Sequence, residues 1–192
     1  MSHQQNRAWS RHLPGIVRCS TARRWLQDQG SLTARLQQCG QFRLHLLSQK
    51  LAPLSLDESR ETGLSAGRQI RTRRVVLFSN GNPVVFAHSV LPVDPAGVLT
   101  RWFDRMGSRS LGARLFANPG FRRGILEYRR IDDRHPLYDA AVAALDLGAE
   151  SRPRLWARRR FFVFARQRVL VTEVFSPKLL MTPPPAADKS AT

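Results

Sequence analysis

The sequence contains few cysteines and no long hydrophobic run. Two cysteines, Cys19 and Cys39, are too few for a secreted scaffold built on disulfides, so we expect reduced thiols and a cytoplasmic protein. No segment approaches the roughly 20 consecutive apolar residues of a membrane-spanning helix, so we expect no integral membrane segment. The cysteines and histidines show no metal-ligand spacing, and no dinucleotide- or triphosphate-binding glycine motif occurs. We therefore expect no metal and no cofactor.

Acidic residues are also scarce, because 14 Asp and Glu stand against 31 Lys and Arg, which gives a net charge of +17. This balance indicates an anionic partner, such as nucleic acid, an anionic membrane surface or a small anionic ligand. Of the basic residues, 28 are arginine, which also fits a genome that uses arginine in place of lysine. The arginine clusters lie in predicted strands and match no nucleic-acid-binding motif. A small anionic ligand in a positive cleft accounts for the charge at least as well as nucleic acid.

The chain is long enough for one folded domain with its own core, since it has 192 residues of which 42% are hydrophobic. We assign residues 1–17 to a flexible basic leader and residues 18–180 to the folded domain. Residues 181–192 are rich in proline and alanine, a composition that predicts a disordered tail.

Two hairpins are the clearest local predictions. The pair Asn80-Gly81 separates two β-branched and aromatic runs, as in a two-residue hairpin turn. A second hairpin is predicted around a loop at residues 165–168. Single strands at residues 42–46 and 121–131 bring the total to about six. Because the connections are short, the pattern predicts a single α+β domain with an antiparallel sheet.

The segments between the strands carry further predictions. Residues 52–67 contain a proline, two glycines and acidic side chains, which indicates a long surface loop. Asp94 is expected to cap a helix that has Pro95 at its first position. Short helices are also expected before Gly30 and before Gly40, because glycine commonly follows the last turn of a helix.

Two charged residues interrupt otherwise apolar strand faces. Arg73 shares a face with Val75, and Glu173 shares a face with Val171 and Phe175. Burying a charge without a partner is costly, so each residue needs solvent or a partner. One interpretation is that both are solvated at strand ends or ion-paired for structural reasons. The other is that Arg73 binds a ligand carboxylate while Glu173, kept partly protonated by apolar neighbours, exchanges a proton.

Six stretches of the sequence share their order and spacing with one known family. They are Trp25-Leu26 with Gly30-Ser31-Leu32-Thr33; Arg73-Arg74-Val75-Val76-Leu77 with Asn80-Gly81-Asn82-Pro83; Ala87-His88-Ser89-Val90-Leu91-Pro92; Leu111-Gly112-Ala113-Arg114-Leu115-Phe116; Leu155-Trp156-Ala157-Arg158-Arg159; and Leu170-Val171-Thr172-Glu173-Val174-Phe175. From about residue 20 to residue 178, the chain resembles the chorismate pyruvate-lyase family of ubiquinone biosynthesis.

The resemblance implies a cofactor-independent lyase that converts chorismate into 4-hydroxybenzoate and pyruvate. It implies an antiparallel sheet with helices mainly on one side and flaps over an internal ligand site. Arg73 aligns with the arginine that binds the ring carboxylate, and Glu173 with the acidic residue beside the ring hydroxyl and the leaving ether. Leu111 aligns with a residue whose backbone amide contacts the ligand carboxylate, and Leu32 with a flap residue that covers the ligand.

On this interpretation we expect a monomer whose partners are chorismate and 4-hydroxybenzoate, with no nucleic acid. One alternative is a non-catalytic ligand-binding domain of the same fold, like those fused to a helix-turn-helix in some transcription regulators. Only about 19 residues precede the first predicted helix, which favours the enzyme. The other alternative is a basic protein that binds RNA or DNA.

Overall fold

Seven strands form one antiparallel sheet in the computed structural model, which describes residues 8–14, 20–94, 97–107, 109–148 and 152–185. The strands are β1 (Phe42–Pro53), β2 (Gln69–Ser79), β3 (Asn82–Leu91), β4 (Arg122–Arg123), β5 (Glu127–Ile131), β6 (Leu155–Phe164) and β7 (Gln167–Phe175). Their order across the sheet is β1-β2-β3-β7-β6-β4, and β5 also pairs with β6. The predicted α+β class is confirmed. The strand count rises from about six to seven because the strand predicted at residues 121–131 is divided into β4 and β5.

Seven short helices in the described part of the chain cover the sheet. They are α1 (Ser20–Gln27), α2 (Leu32–Gln38), α3 (Leu56–Thr62), α4 (Val98–Asp104), α5 (Leu111–Ala117), α6 (Tyr138–Ala144) and α7 (Pro177–Met181). One face carries two apolar clusters: α1, α2 and α7 pack around Phe175, and α4 and α5 pack around Leu91. α6 packs around Phe86 on the opposite face, where α3 also lies. Five of the seven described helices therefore share one face, and the region between its two clusters holds the candidate site.

The two predicted hairpins are present, but one turn is shorter than predicted. Asn80 and Gly81 join β2 to β3 with φ angles of 49° and 79°, the left-handed values that a two-residue hairpin turn favours. The turn between β6 and β7 also has two residues, and Ala165 adopts φ 51° there. The loop predicted at residues 165–168 is too long, because β7 already begins at Gln167.

The prediction of a loop throughout residues 52–67 is wrong, because this segment contains α3. The Ser55 side chain accepts a hydrogen bond from the backbone N–H of Glu58, and the Glu58 carboxylate accepts one from the backbone N–H of Ser55. This reciprocal capping box was readable in the sequence as serine followed three residues later by glutamate.

α4 begins later than the sequence predicts. Its N-cap is Gly97, and the carbonyl of Asp94 accepts the Gly97 N–H at 2.9 Å. Asp94 therefore lies before the helix and does not cap it. Pro95, the predicted first helical residue, lies outside the described residues.

The sheet face that carries α3 and α6 buries a network of paired charges. Arg159 contacts three carboxylates: its Nε lies 2.9 Å from Glu127, its Nη1 3.3 Å from Asp57 and its Nη2 2.6 Å from Glu61. Its guanidinium also lies 4.2 Å from the ring centroid of Trp9. The buried guanidinium thus has the opposite charges that a buried ion needs.

Parts of the predicted leader and tail lie against the domain. Leu13 is buried in the core, and Ser10 forms a bridge with Tyr128 of β5. The carbonyl of Thr182 accepts a hydrogen bond from the indole of Trp25 at 2.7 Å. Leader residues 1–7 and 15–17 and tail residues 186–192 lie outside the described residues.

The helices that the structure describes are too short or too polar to cross a lipid bilayer.

We expect the buried pair of Glu58 and His88 to make stability depend on acid pH. Burial alone would raise the pKa of Glu58, but the hydrogen bond and charge of His88, 2.8 Å away, together with Ser55, bring it below its ordinary value. A lowered pKa in the folded state means that this stabilisation is complete above about pH 4.5 and is lost as the pH falls toward the folded value. Glu58→Gln should therefore reduce the acid dependence and cost about 1–3 kcal/mol near pH 7.

Urea unfolding measured between pH 3 and pH 7 checks this expectation. Asp139→Asn is a matched control, because Asp139 forms an exposed pair with Arg152 and should change the free energy of unfolding by less than about 0.5 kcal/mol. The same pH slope in Glu58→Gln and the unsubstituted protein would contradict the assignment.

Candidate active site

One row of paired residues crosses four strands on the sheet face beneath α2 and α5. Arg73 of β2 pairs with Ser89 of β3, which pairs with Val171 of β7, which pairs with Arg160 of β6. Directly paired residues point to the same face, so both arginines face this region. Three interstrand spacings place their Cα atoms about 14 Å apart. Glu173, two residues beyond Val171, lies on the same face.

Arg73 is 1% exposed and has no carboxylate partner among the described residues. Its Nη1 donates to the side chain of Gln49 at 2.8 Å and to the carbonyl of Gly107 at 2.7 Å, and its Nη2 donates to the carbonyl of Arg109 at 2.9 Å. Burial lowers the pKa of Arg73, because removal from water disfavours the charged form. The Nε–H and one Nη2–H have no partner among the described residues, and two donors are what a bidentate pair with a carboxylate uses.

Glu173 pairs with Arg158, its direct neighbour on β6. The Nε of Arg158 lies 2.6 Å from Oε2 of Glu173, and the two side chains are 3% and 20% exposed. The Nη1 of Arg158 donates to the backbone carbonyls of Trp25 and Leu26, in the last turn of α1, and of Asp28, just beyond it. Arg158 therefore satisfies carbonyls at the end of α1 and also fixes the position of the Glu173 carboxylate.

Arg160 is buried beside this pair. It is 6% exposed, and its Nη2 donates to the side-chain oxygen of Gln29 at 2.8 Å. Burial and the nearby charge of Arg158 lower the pKa of Arg160 to about 10. Among the described residues, the sheet face beneath α2 and α5 thus carries three buried guanidinium groups and one carboxylate, that of Glu173.

The first turns of α2 and α5 meet above this row. Leu32 and Leu111 are the first residues of the two helices, and both are buried. The hydroxyls of Thr33 and Ser110 lie 2.8 Å apart and connect the helices. Because Leu111 is at the start of its helix, its backbone N–H has no partner within the helix.

The structure brings together the residues that sequence reasoning singled out. Arg73 and Glu173 share one buried sheet face, and Leu32 and Leu111 lie over it. The partner of Glu173 is a guanidinium, so the expectation of apolar neighbours alone was incomplete. Sequence reasoning missed Arg158 and Arg160 as members of this face; the only available signal was their alternation along a predicted strand. The roles of these residues toward a ligand stay predictions.

The described part of the chain contains no group of three or more His, Cys, Asp or Glu side chains suited to a metal ion.

The fold is shared with solved domains of other proteins. The effector domain of PhnF from Mycobacterium smegmatis has a TM-score of 0.53 at 16% identity, over 79% of this chain and 91% of that chain. The C-terminal domain of the histidine utilization repressor from Pseudomonas syringae pv. tomato has a TM-score of 0.52 at 11% identity, over 72% of this chain and 93% of that chain. At such low identity the likeness shows the fold alone.

The sequence itself defines the family. It matches the family model of chorismate lyase over residues 4–183. A probable chorismate pyruvate-lyase of Dechloromonas aromatica is 43% identical over 174 residues, which cover 90% of this chain and 96% of that protein. Another from Azoarcus sp. strain BH72 is 42% identical over 163 residues, which cover 84% and 86%. The chain therefore belongs to the chorismate lyase family, and the resemblance noted in the sequence is confirmed.

The Arg158–Glu173 pair should contribute strongly to stability. Arg158→Met is expected to cost about 3–5 kcal/mol, because it leaves one partly buried carboxylate and three carbonyls without their donor. Glu173→Gln keeps an oxygen that accepts a hydrogen bond and should cost about 1–2 kcal/mol. Chemical denaturation measures both values.

Arg152→Met is the matched control, because Arg152 forms an ion pair with Asp139 in which both side chains are mostly exposed. It should change the free energy of unfolding by less than about 0.5 kcal/mol. Equal effects of the two Met substitutions would show that Arg158 does not hold α1 to the sheet.

Proposed function

We propose that this protein is a chorismate pyruvate-lyase, which divides chorismate into 4-hydroxybenzoate and pyruvate. The observation that carries the proposal is the placement of Arg73 and Glu173 on one buried, cationic sheet face in a chain of this family. Chorismate carries two carboxylates, so a positive site shielded from water suits it. In this proposal, part of the high arginine content serves to bind a small anionic substrate, so nucleic acid is not needed to account for it.

Arg73 binds the ring carboxylate in this proposal. Its two remaining N–H groups donate to the two oxygens of one carboxylate, and a bidentate pair fixes orientation as well as position. The contacts to Gln49, Gly107 and Arg109 hold the guanidinium in place before the ligand arrives. The backbone N–H of Leu111 provides a further donor to the same carboxylate.

Glu173 handles the proton. The bond between the ring carbon and the ether oxygen breaks, and the adjacent ring carbon loses its hydrogen as a proton. The C–H electron pair completes the aromatic ring, which supplies much of the driving force. A guanidinium 2.6 Å away suits a carboxylate, so Glu173 accepts this proton and returns it to the departing enolpyruvate, which becomes pyruvate. Every atom of chorismate is found in the two products, so the reaction needs no oxidant, reductant or second substrate.

Access to the site requires movement of its cover. Leu32 and Leu111 are buried, and the contact between Thr33 and Ser110 closes the region above the sheet. The starts of α2 and α5 therefore act as flaps that separate when substrate enters and product leaves. The enzyme acts as a cytoplasmic monomer, and its product serves ubiquinone biosynthesis.

The direct test is to incubate purified protein with chorismate. We expect 4-hydroxybenzoate to appear in the ultraviolet spectrum and pyruvate to appear in equal amount in a coupled reduction to lactate. Formation of 3-hydroxybenzoate would keep the reaction class and change its regiochemistry. Binding of chorismate without any product would identify a ligand-binding domain and refute the lyase proposal.

Substitutions separate the two roles. Arg73→Gln should raise KM for chorismate by about 100-fold, because a buried charge-assisted pair is lost, while Glu173→Gln should lower kcat by about 100-fold or more with a smaller effect on KM. Steady-state kinetics on variants that keep their near-ultraviolet circular dichroism measures both effects. Unaltered kcat in Glu173→Gln would remove the proposed proton handler.

A further inference from the structure

Arg160 is a buried guanidinium without a carboxylate of its own. Arginine is seldom so buried unless it is paired. In the described chain its polar contacts are two oxygens of Gln29, the side-chain oxygen at 2.8 Å and the backbone carbonyl at 3.5 Å. Arg159, the preceding residue, shows the contrast, because it points to the opposite face and contacts three carboxylates.

The surroundings of Arg160 disfavour its charge. Burial and Arg158 lower its pKa to about 10, and the nearby carboxylate of Glu173 offsets this only in part. Glu173 is already held by Arg158 at 2.6 Å and lies beyond ion-pair distance from Arg160. An anion that binds beside Arg160 therefore supplies the opposite charge that Arg160 does not have at ion-pair distance among the described residues.

Arg160 and Arg73 lie at opposite ends of one row of paired residues. Between them stand only Ser89 and Val171, one from each central strand. Both arginines are almost fully buried, and neither has a carboxylate partner among the described residues. The face therefore offers two guanidinium groups to a ligand that brings two negative charges of its own.

We infer that Arg160 binds the second carboxylate of the substrate, the one on the enolpyruvyl group, while Arg73 binds the carboxylate on the ring. The inference rests on the proposed lyase function, whose substrate has two carboxylates and whose aromatic product has one. Arg160 is then the residue that distinguishes substrate from product. After cleavage the second carboxylate leaves with pyruvate, and 4-hydroxybenzoate is held at the Arg73 end alone.

Gln29 takes the place of the substrate carboxylate in the free protein. It is exposed and lies between α1 and α2, three residues before Leu32. Its amide oxygen is a neutral acceptor for Arg160, and a carboxylate forms a stronger, charge-assisted bond in the same position. When the substrate carboxylate replaces Gln29 at Arg160, the segment that leads into the α2 flap loses its contact with Arg160. Binding at this site is thereby coupled to the α2 flap.

The test compares how strongly the protein binds chorismate, a dianion, and 4-hydroxybenzoate, a monoanion. Arg160→Gln should raise KM for chorismate at least about tenfold, because one charge-assisted contact is lost, and should change the dissociation constant of 4-hydroxybenzoate by less than about threefold. Arg160→Lys keeps the charge and should recover part of the chorismate affinity. Steady-state kinetics and calorimetry provide the two constants.

Arg123→Gln is the matched control. Arg123 is exposed and, like Arg160, lies over the ring of Phe116, so its loss should leave both constants unchanged. Arg160→Gln should also melt at or above the temperature of the unsubstituted protein, because it removes a poorly compensated charge. A lower melting temperature with equal weakening of both ligands, or no change in either constant, would overturn the assignment.

The outcome remains interpretable if the lyase proposal fails. In a protein without turnover, calorimetry gives the dissociation constant of chorismate directly. Preference for chorismate over 4-hydroxybenzoate that is lost in Arg160→Gln would then support the role of Arg160 in an inactive binding domain. Turnover that is present but insensitive to Arg160→Gln would reject this inference and leave the lyase proposal standing.

Discussion

The arrangement of the site depends on the contact between Arg158 and Glu173. One guanidinium bonds the glutamate of β7 and the last carbonyls of α1, so it ties the sheet to the segment that leads into α2. Without this contact the helix end would present unsatisfied carbonyls, and Glu173 would be free to turn away. A structural bond thereby sets the position of the proposed proton handler.

Arginines on the two faces of the sheet have opposite surroundings, and in the proposed function this difference separates a structural role from a ligand-binding one. Arg159 forms ion pairs with Asp57, Glu61 and Glu127, so its charge is compensated within the protein. Arg73 and Arg160 bond only neutral oxygens among the described residues. The fold tolerates this arrangement because each guanidinium keeps hydrogen bonds, and in the proposed function its charge interacts with a ligand.

Much of this could be predicted from the sequence, and what could not has a physical reason. The alternation of side chains along each strand predicted that Arg73 and Glu173 lie on apolar strand faces. The family resemblance predicted that they belong to one site. The partner of Glu173 could not be predicted because it depends on the length of one turn. A loop at residues 165–168 would pair Arg160 with Glu173. The two-residue turn at Ala165 pairs Arg158 with Glu173 instead. Alanine at φ 51° gives no signal of the kind that Asn80-Gly81 gives. Periodicity alone cannot detect such a shift by two residues, because both arginines keep the same face.

In the proposed function, the contacts of Arg73 and Arg160 also couple ligand binding to the two flaps. Arg73 bonds carbonyls of Gly107 and Arg109, just before α5, and Arg160 bonds Gln29, just before α2. Each proposed carboxylate site thus includes backbone or side chains from one flap, and the Thr33–Ser110 contact joins the two flaps. In this proposal a carboxylate at Arg73 leaves the contacts to Gly107 and Arg109 in place, whereas a carboxylate at Arg160 displaces Gln29 and so releases the segment before α2. When pyruvate leaves, Gln29 returns to Arg160, so in this proposal the segment before α2 responds to the second carboxylate alone.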